Sequence, residues 1–281
     1  AFPPAGPATL PRALSIRPKG VLLRIRRVLV AVVSAMSAVL AVGALGVAPA
    51  AAIAKGVAAA EGQFPFAVQL RLDDIARSDG TTYDSACSGA LISPNWIMTA
   101  GHCFHDGDRN RVSGPPRYAT TARLGTANTT DPNAGVTLTV VNVEQSPTND
   151  IAVARLSAPV DGISPLALST RAPVRGEVLT FAGWGATTSS GAPGDQLYWG
   201  EVKVSAVKAT TVLVKGHWPY PDTSACPYDS GAPYVAAPAG AAPTLVSVES
   251  GGPSCPHRLQ ETTARVDVVV AWVESVVSDL P

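Results

Sequence analysis

The sequence predicts an all-β protein that ends in a single helix. Short segments after residue 60 carry apolar residues at every second position, and clusters of Gly, Pro, Asn, Asp and Ser separate them. Helical spacing of apolar residues appears only near the C-terminal end. Period-two alternation is typical of half-buried strands. Many short strands divided by turn signals indicate a sandwich or a pair of barrels.

The strand predictions follow the chain in order. Large apolar side chains alternate or cluster in six segments, at residues 66–72, 136–140, 178–181, 197–204, 212–214 and 245–248. The Ala- and Pro-rich stretch at residues 235–243 is predicted to be a surface loop.

Four apolar residues near the C-terminal end have the spacing of one helix face: Val269, Trp272, Val273 and Val276. Asp267 precedes them, and aspartate is a favoured helix N-cap. We therefore predict a C-terminal helix with Asp267 as its N-cap.

The first 52 residues differ from the rest in charge and hydropathy. They contain six Lys or Arg and no acidic residue, and an uncharged apolar run at residues 28–47 precedes Pro49 and three alanines. This order is that of a signal peptide, so we predict that residues 1–52 are an N-terminal extension and signal peptide that is removed. The alternative is an uncleaved anchor, because roughly 20 apolar residues can span a bilayer. The pair Arg26-Arg27 is by itself weak evidence for twin-arginine export.

Residues 53–281 are predicted to form one globular domain. All 21 acidic residues lie there with 15 of the 21 basic ones, a net formal charge of −6. This balance argues against binding of nucleic acid or of an anionic membrane by the folded part. We expect no nucleic-acid partner, and no membrane attachment after removal of the signal peptide.

Three separate motifs contain a histidine, an aspartate and a serine. His102 lies in Thr-Ala-Gly-His-Cys, Asp150 in Asn-Asp-Ile-Ala-Val, and Ser230 in Cys-Pro-Tyr-Asp-Ser-Gly-Ala-Pro. Histidine can act as a general base near neutral pH, and serine becomes a useful nucleophile only beside a base. An aspartate followed by an apolar run can be buried against that base. The remaining histidines are interpreted as structural: His105, His217 and His257.

Together these motifs resemble the trypsin/chymotrypsin-like serine proteases of the secreted bacterial type. The resemblance extends from Ile53 to the C-terminal helix and includes Phe-Ala-Gly-Trp-Gly at residues 181–185. The order His, Asp, Ser and the absence of a Gly-x-Ser-x-Gly elbow argue against an α/β-hydrolase. The resemblance implies two six-stranded antiparallel β-barrels with a C-terminal α-helix, and a catalytic triad of His102, Asp150 and Ser230 between the barrels.

Four cysteines allow three pairings, and an exported protein can keep disulfides. The chain order and the family resemblance favour Cys87 with Cys103 and Cys226 with Cys255. Zinc binding is the alternative, but no Cys-x₂-Cys spacing occurs. No acidic loop has the spacing of calcium ligands. We therefore predict neither a metal nor another cofactor.

Ile-Ala-Lys-Gly at residues 53–56 resembles the family's Ile-Val-Gly-Gly start. The resemblance implies that a new N-terminal ammonium on Ile53 pairs with Asp229 and shapes the oxyanion hole. A cut after Ala52 would release Ile53 directly, so we expect signal cleavage itself to produce the active form. The alternative is an ordinary signal-peptide junction. Ala54 and Lys55 depart from the family pattern.

The expected oxyanion hole consists of the backbone N–H groups of Ser230 and Tyr228. The family has glycine at the second position, and a positive φ is strained for tyrosine. Losing one such donor costs about 10²–10³ in rate. Three outcomes are open: a rebuilt loop that keeps the donor, a hole that forms on binding, or a weak or inactive homologue that acts as a binding protein.

The specificity pocket is also unusual. Alignment through the cysteine before the active serine puts Ser224 at its base, and Ser247, Val248 and Glu249 in the wall that pairs with substrate backbone. Glu261 aligns with a pocket-lining position. A carboxylate from either glutamate would favour Lys or Arg at the cleaved position. The alternative is that both are solvated loop acids.

The sequence therefore predicts a secreted, extracellular and monomeric serine endopeptidase that acts on proteins or peptides through an acyl-enzyme. A catalytically weak or inactive binding protein on the same fold is the first alternative. A membrane-tethered protease with an uncleaved anchor is the second.

Overall fold

The computed structural model describes residues 53–277 and 280–281, so the predicted signal peptide lies outside the described residues. The described part contains fourteen strands, one α-helix and one 3₁₀ turn. None of its helices has the length and apolar character needed to cross a membrane.

Six antiparallel strands close into the first barrel, in the order β2-β3-β4-β7-β6-β5. They are β2 (Ala67–Ala76), β3 (Thr82–Ser93), β4 (Trp96–Thr99), β5 (Ala119–Leu124), β6 (Val136–Gln145) and β7 (Ala152–Leu156). The period-two pattern predicted from β2 and β6 arises because alternate side chains point into the barrel. Val68, Leu70 and Leu72 of β2 are buried in this way.

The second barrel closes in the order β9-β10-β11-β14-β13-β12, with two short strands outside it. Its strands are β9 (Val178–Gly183), β10 (Tyr198–Val207), β11 (Thr211–Trp218), β12 (Pro233–Ala236), β13 (Thr244–Gly251) and β14 (Glu261–Arg265). Strand β1 (Val57–Ala58) pairs with β10, and β8 (Ala167–Leu168) runs parallel to β13. The predicted pair of six-stranded barrels is confirmed.

The predicted loop at residues 235–243 is correct for residues 237–243 but wrong for the first two residues. Val235 and Ala236 belong to β12, where Val235 is opposite Thr180 of β9 and Leu245 of β13. Both residues are buried in the barrel. Strand pairing on both sides therefore outweighs the loop-like composition that follows.

The C-terminal helix α1 spans Val270–Val276, but Asp267 does not cap it. The N-cap position is Val269, whose apolar side chain cannot accept a hydrogen bond from the helix. The Asp267 carboxylate instead accepts hydrogen bonds from Arg265 Nε at 3.0 Å and Nη2 at 2.6 Å. A bidentate guanidinium is a stronger partner for the carboxylate than a backbone N–H. Val269 and Val273 form the buried helix face, as their spacing predicts.

One hydrophobic cluster runs through both barrels. It joins residues of the first barrel, such as Leu91 and Val153, to Leu245 and Val248 of the second barrel and to Val273 of α1. A separate cluster fills the second barrel and contains Phe181 stacked on Tyr234, with ring centroids 5.0 Å apart. The two barrels thus share part of one hydrophobic core.

Candidate active site

The three predicted site residues come from segments that the barrels bring together. His102 lies in the 3₁₀ turn Gly101–Cys103 that follows β4, and Asp150 lies just before β7. Strands β4 and β7 are paired, which places the two residues side by side. Ser230 lies in the turn before β12 of the second barrel, and its carbonyl oxygen accepts the Ser88 N–H of β3 at 2.8 Å.

The three side chains form a continuous hydrogen-bonded relay. Nδ1 of His102 lies 2.7 Å from Oδ2 of Asp150, and Nε2 lies 2.8 Å from Oγ of Ser230. The His102 backbone N–H also donates to Oδ1 of Asp150 at 2.9 Å. The carboxylate therefore holds both the ring and the backbone of the histidine. The side chain of His102 is 44% exposed and that of Asp150 is 25% exposed, so the aspartate is less buried than we expected.

Two residues that the sequence analysis did not identify also bind Asp150. Ser250 Oγ donates to Oδ2 at 2.7 Å, and Nη1 of Arg111 lies 3.9 Å from Oδ1. Burial raises the pKa of Asp150, but the hydrogen bond and charge of His102 and the bond from Ser250 outweigh it, so the pKa is lower than the usual value for aspartate. Asp150 is thus an ionised acceptor, which favours the tautomer of His102 with its proton on Nδ1.

Two disulfides hold the segments that carry these residues. Cys87 is bonded to Cys103, next to His102, and Cys226 is bonded to Cys255 beside the Ser230 turn. This is the predicted pairing. Each such bridge is typically worth about 2–5 kcal/mol in a secreted domain.

The turn at Ser230 has an unusual backbone. Tyr228 has φ +76° and Gly231 has φ +83°. The Tyr228 carbonyl oxygen accepts a bond from Ser88 Oγ at 3.3 Å. Within the described part of the chain, neither the Tyr228 N–H nor the Ser230 N–H donates a hydrogen bond. Neither of these two N–H groups is therefore bound to an acceptor within the described residues.

Asp229 is fully buried behind this turn. Its carboxylate accepts the N–H of Gly185 at 2.8 Å and that of Cys226 at 2.9 Å. Burial raises its pKa well above the usual value, and the nearby Glu261 adds to the increase. Ile53 is buried in the second barrel core, but its nitrogen is a peptide nitrogen because Ala52 precedes it. An ion pair with Asp229 would therefore require a cut at that bond.

A cavity of about 280 Å³ opens beside the nucleophile. Ser230 and Glu249 both line it, together with Ala225, Cys226 and the segment at residues 251–254. Gly251 and Gly252 form part of the cavity wall, and glycine has no side chain that would fill the cavity.

The expected pocket residues Ser224, Ser247 and Val248 lie elsewhere. Ser224 is buried behind the cavity, where its backbone pairs with Ala54 and its Oγ accepts the His257 N–H at 3.2 Å. Ser247 and Val248 are fully buried in the barrel, and Ser247 accepts a hydrogen bond from Thr263. Of the three residues expected in the pocket wall, Glu249 alone lines the cavity, and Gly251 and Gly252 line it after Glu249. The signal for these glycines in the sequence is the Ser-Gly-Gly triplet that starts at Ser250.

The two glutamates are not solvated loop acids, since Glu249 is 3% exposed and Glu261 is 2% exposed. Tyr234, which the sequence analysis missed, lies between them. Its hydroxyl oxygen is 2.6 Å from Oε2 of Glu249 and 3.0 Å from Oε2 of Glu261. We call these three residues the Glu-Tyr-Glu cluster.

A second cavity of about 200 Å³ lies on the other side of the nucleophile. His102, Tyr228 and Ser230 line it together with Leu72 and Tyr83. Ser230 thus lines both cavities. In the described ranges, no group of three or more His, Cys, Asp or Glu side chains could hold a metal ion.

Comparisons with known proteins agree with this geometry. A family model described as Trypsin matches residues 53–273. The chain is similar to renal glandular kallikrein of Mastomys natalensis, with 30% identity over 117 residues that cover 36% of this chain and 43% of that protein. It is also similar to tonin of Rattus norvegicus, with 31% identity over 116 residues that cover 37% of this chain and 44% of that protein. The chain spans less than half the length of these curated relatives. Both come from rodents, so they do not support the expected bacterial type.

Proposed function

We propose that this chain, which belongs to the trypsin family of serine proteases, is a secreted endopeptidase that hydrolyses peptide bonds in proteins or peptides. The observation that carries the proposal is the relay from Asp150 through His102 to Ser230, with contacts of 2.7 Å and 2.8 Å. Three separate segments of the chain converge at hydrogen-bonding distance. A purely structural cluster would not require a relay from aspartate through histidine to serine. Nor would it require the serine to line two cavities.

In the proposed reaction, Ser230 Oγ attacks the peptide carbonyl carbon while Nε2 of His102 accepts its proton. Asp150 orients the ring and stabilises the imidazolium that forms. His102 then gives the proton to the leaving amine, which leaves an ester between Ser230 and the substrate acyl group. Water hydrolyses this ester with His102 again as the base.

The proposed oxyanion hole uses the N–H groups of Tyr228 and Ser230. Support comes from the φ of +76° at Tyr228, which is the conformation that glycine would adopt without strain. The tyrosine already has that backbone, so the side chain does not remove the donor. The active-enzyme proposal is therefore favoured over the inactive binding protein.

We further propose that residues 1–52 are removed and that the cut after Ala52 activates the protein. The buried Ile53 side chain and the buried Asp229 support this proposal. A free ammonium at Ile53 would compensate the Asp229 carboxylate, whose pKa burial raises. N-terminal sequencing of the exported protein should find Ile53 first. Any other start would contradict this activation step.

Removal of that segment would leave residues 53–281 as a monomer outside the cell. The net formal charge of −6 on that part disfavours nucleic acid and anionic membranes as partners. The protein substrate is the one partner that we propose.

A fluorophosphonate probe tests the proposed activity directly. We expect the processed chain to be labelled at Ser230, and labelling to disappear in Ser230→Ala and His102→Ala. Melting curves of both variants provide the control for folding. A folded wild-type protein without labelling would support the binding-protein alternative and contradict the enzyme.

A further inference from the structure

The 280 Å³ cavity connects the nucleophile to a buried carboxyl group. Ser230 lines one part of the cavity and Glu249 another, so a side chain held beside the nucleophile can reach Glu249. Behind Gly252 lies Glu261, whose Cγ would be 3.0 Å from a Cβ atom added to that glycine. Ser224, which we expected at the base of the pocket, has no charge and does not line the cavity. The negative charge near this cavity therefore comes from the Glu-Tyr-Glu cluster.

The two short contacts of the tyrosine hydroxyl are incompatible with two ionised glutamates, as a count of the protons shows. The Tyr234 hydroxyl makes two short contacts, at 2.6 Å and 3.0 Å, with one carboxyl oxygen from each glutamate. A hydroxyl has one proton and donates one strong hydrogen bond. The second contact therefore needs a proton on a carboxyl group, which then donates to the tyrosine oxygen. With one shared proton the cluster has a charge of −1, and with a second it is neutral.

The surroundings favour protonation. Burial raises the pKa of Glu249 well above its usual value, and the charges of Glu261 and Asp229 raise it further. Burial also raises the pKa of Glu261 to about 7, against the bonds from Ala225 and Tyr234. His257 faces the pair from the loop before β14, with Nε2 3.5 Å from Glu261 Oε1, and burial lowers the pKa of its ring. Among the described residues, neither glutamate forms an ion pair with Lys or Arg.

We propose that the Glu-Tyr-Glu cluster selects the side chain at the cleaved position through its protonation state. With a charge of −1 the cluster favours Lys or Arg at the cleaved position. When the cluster is neutral, it accepts uncharged side chains as well as it accepts Lys or Arg. Glu249 is the residue that contacts the substrate side chain. Tyr234 and Glu261 position Glu249 and share a proton with it. This inference rests on the proposed peptidase activity and adds to it a residue that determines specificity.

The test compares two peptide substrates that differ only at the cleaved position, with lysine in one and its near-isostere norleucine in the other. The processed protein is assayed between pH 5.5 and 9. The ratio of the two kcat/KM values cancels the pH dependence that both substrates share, because both use the same triad. We expect the ratio to increase at least about tenfold through pH 7, since an opposite charge within a few ångström shifts an ionisation by one unit or more.

Variants locate the charge. The double variant Glu249→Gln/Glu261→Gln keeps the shape of both side chains and should lower the lysine-to-norleucine ratio and make it independent of pH. Tyr234→Phe removes the shared hydroxyl and should move the midpoint of the ratio along the pH axis. Glu274→Gln, at an exposed site on α1, is the matched control and should leave the ratio and its midpoint unchanged.

The outcomes separate this inference from the proposed function. Hydrolysis with a ratio that stays constant across the pH range would overturn the inference alone, and so would an unchanged pH response in the folded double variant Glu249→Gln/Glu261→Gln. Absence of both hydrolysis and Ser230 labelling would overturn the peptidase proposal and this inference with it. If a variant fails to fold, the pH response of the wild-type ratio decides.

Discussion

At the residue scale, Tyr228 combines a large side chain with a backbone conformation that suits glycine. Its φ of +76° costs about 1–2 kcal/mol in an L-residue. The side chain packs against the cluster that contains the Cys226–Cys255 bridge. This packing and the Ser88 bond to its carbonyl oxygen hold the strained peptide in place.

Tyr228→Gly tests whether the oxyanion donor is already in position. The substitution keeps the N–H and the φ, so we expect kcat/KM to stay within about threefold of the wild-type value. Hydrolysis of a chromogenic peptide measures it, with Ser230→Ala as the blank. An increase of about 10²-fold or more would mean that the native loop lacks the donor.

Gly231 has no room for a side chain. Its φ is +83°, and an added Cβ would clash with Thr99 Oγ1 and the Ser88 carbonyl oxygen. We expect Gly231→Ala to lower the free energy of unfolding by about 2–5 kcal/mol, because backbone strain adds to overpacking, and to move Ser230 away from His102. Urea denaturation and fluorophosphonate labelling measure the two effects.

Gly240→Ala is the matched control for Gly231→Ala. Gly240 has φ +77° but nothing within 4 Å of an added Cβ. It should therefore show only the backbone strain, about 1–2 kcal/mol, and normal labelling. Equal losses in the two variants would contradict the steric argument.

The sequence singled out His102, Asp150 and Ser230 because each lies in a short motif of its own, and the three side chains are within hydrogen-bonding distance in the structure. Ser250 and Arg111 escaped prediction because their roles depend on contacts with Asp150 across 100 and 39 residues of chain, respectively. Tyr234 bridges Glu249 and Glu261 only because β12, β13 and β14 are neighbours in the second barrel. No local pattern carries that information.

At the element scale, β14 places an ionisable group in the interior of a barrel. Glu261 begins this strand, and burial raises its pKa to about 7 from the usual 4.5. Between these values the folded protein keeps a proton that the unfolded chain releases. The resulting stability is fully present below about pH 4.5 and is lost as the pH rises through 7.

Glu261→Gln should weaken this pH dependence. The amide keeps a hydrogen-bond acceptor for the Ala225 N–H but does not titrate. We expect the variant to gain stability relative to the wild type as the pH rises from 4.5 to 8, by at most about 3 kcal/mol. Denaturant unfolding at several pH values measures the gain. Glu274→Gln should show none, and a constant difference between Glu261→Gln and the wild type would contradict the assignment.

Strands with alternating or clustered apolar residues, such as β6 and β11, were predictable, whereas β12 was not. β6 presents alternating apolar residues, whereas the apolar residues of β12 run into a Pro- and Ala-rich segment that disguises the strand. The helix itself followed from the spacing of Val269 and Val273. Its cap did not, because the sequence does not show that Arg265 binds the Asp267 carboxylate.

At the scale of the whole molecule, both barrels contribute to one core and one site. Ser88 of β3 makes three hydrogen bonds to segments that adjoin the second barrel. Its N–H donates to the Ser230 carbonyl oxygen and its Oγ donates to the Tyr228 carbonyl oxygen, while the same Oγ accepts the Trp184 N–H. The hydrophobic cluster that spans both barrels adds to this connection. Neither barrel is expected to remain folded alone.

We therefore expect a single cooperative thermal transition for the processed protein carrying Ser230→Ala, which prevents self-digestion. Calorimetry should give one peak, with the calorimetric and van't Hoff enthalpies equal. Two resolved peaks would mean that the barrels unfold independently.

The bonds of Ser88 also have a consequence for the lifetime of an active preparation. A protease digests its own molecules when a loosened segment enters the cleft of a neighbour. Ser88 binds the turn that contains Ser230 to the opposite barrel. A molecule whose barrels separate therefore loses its own activity at the same time as it becomes susceptible to proteolysis. The half-life of an active preparation should then follow the rate of complete unfolding. Contacts between the barrels, more than surface loops, would therefore determine how fast the enzyme is lost to self-digestion.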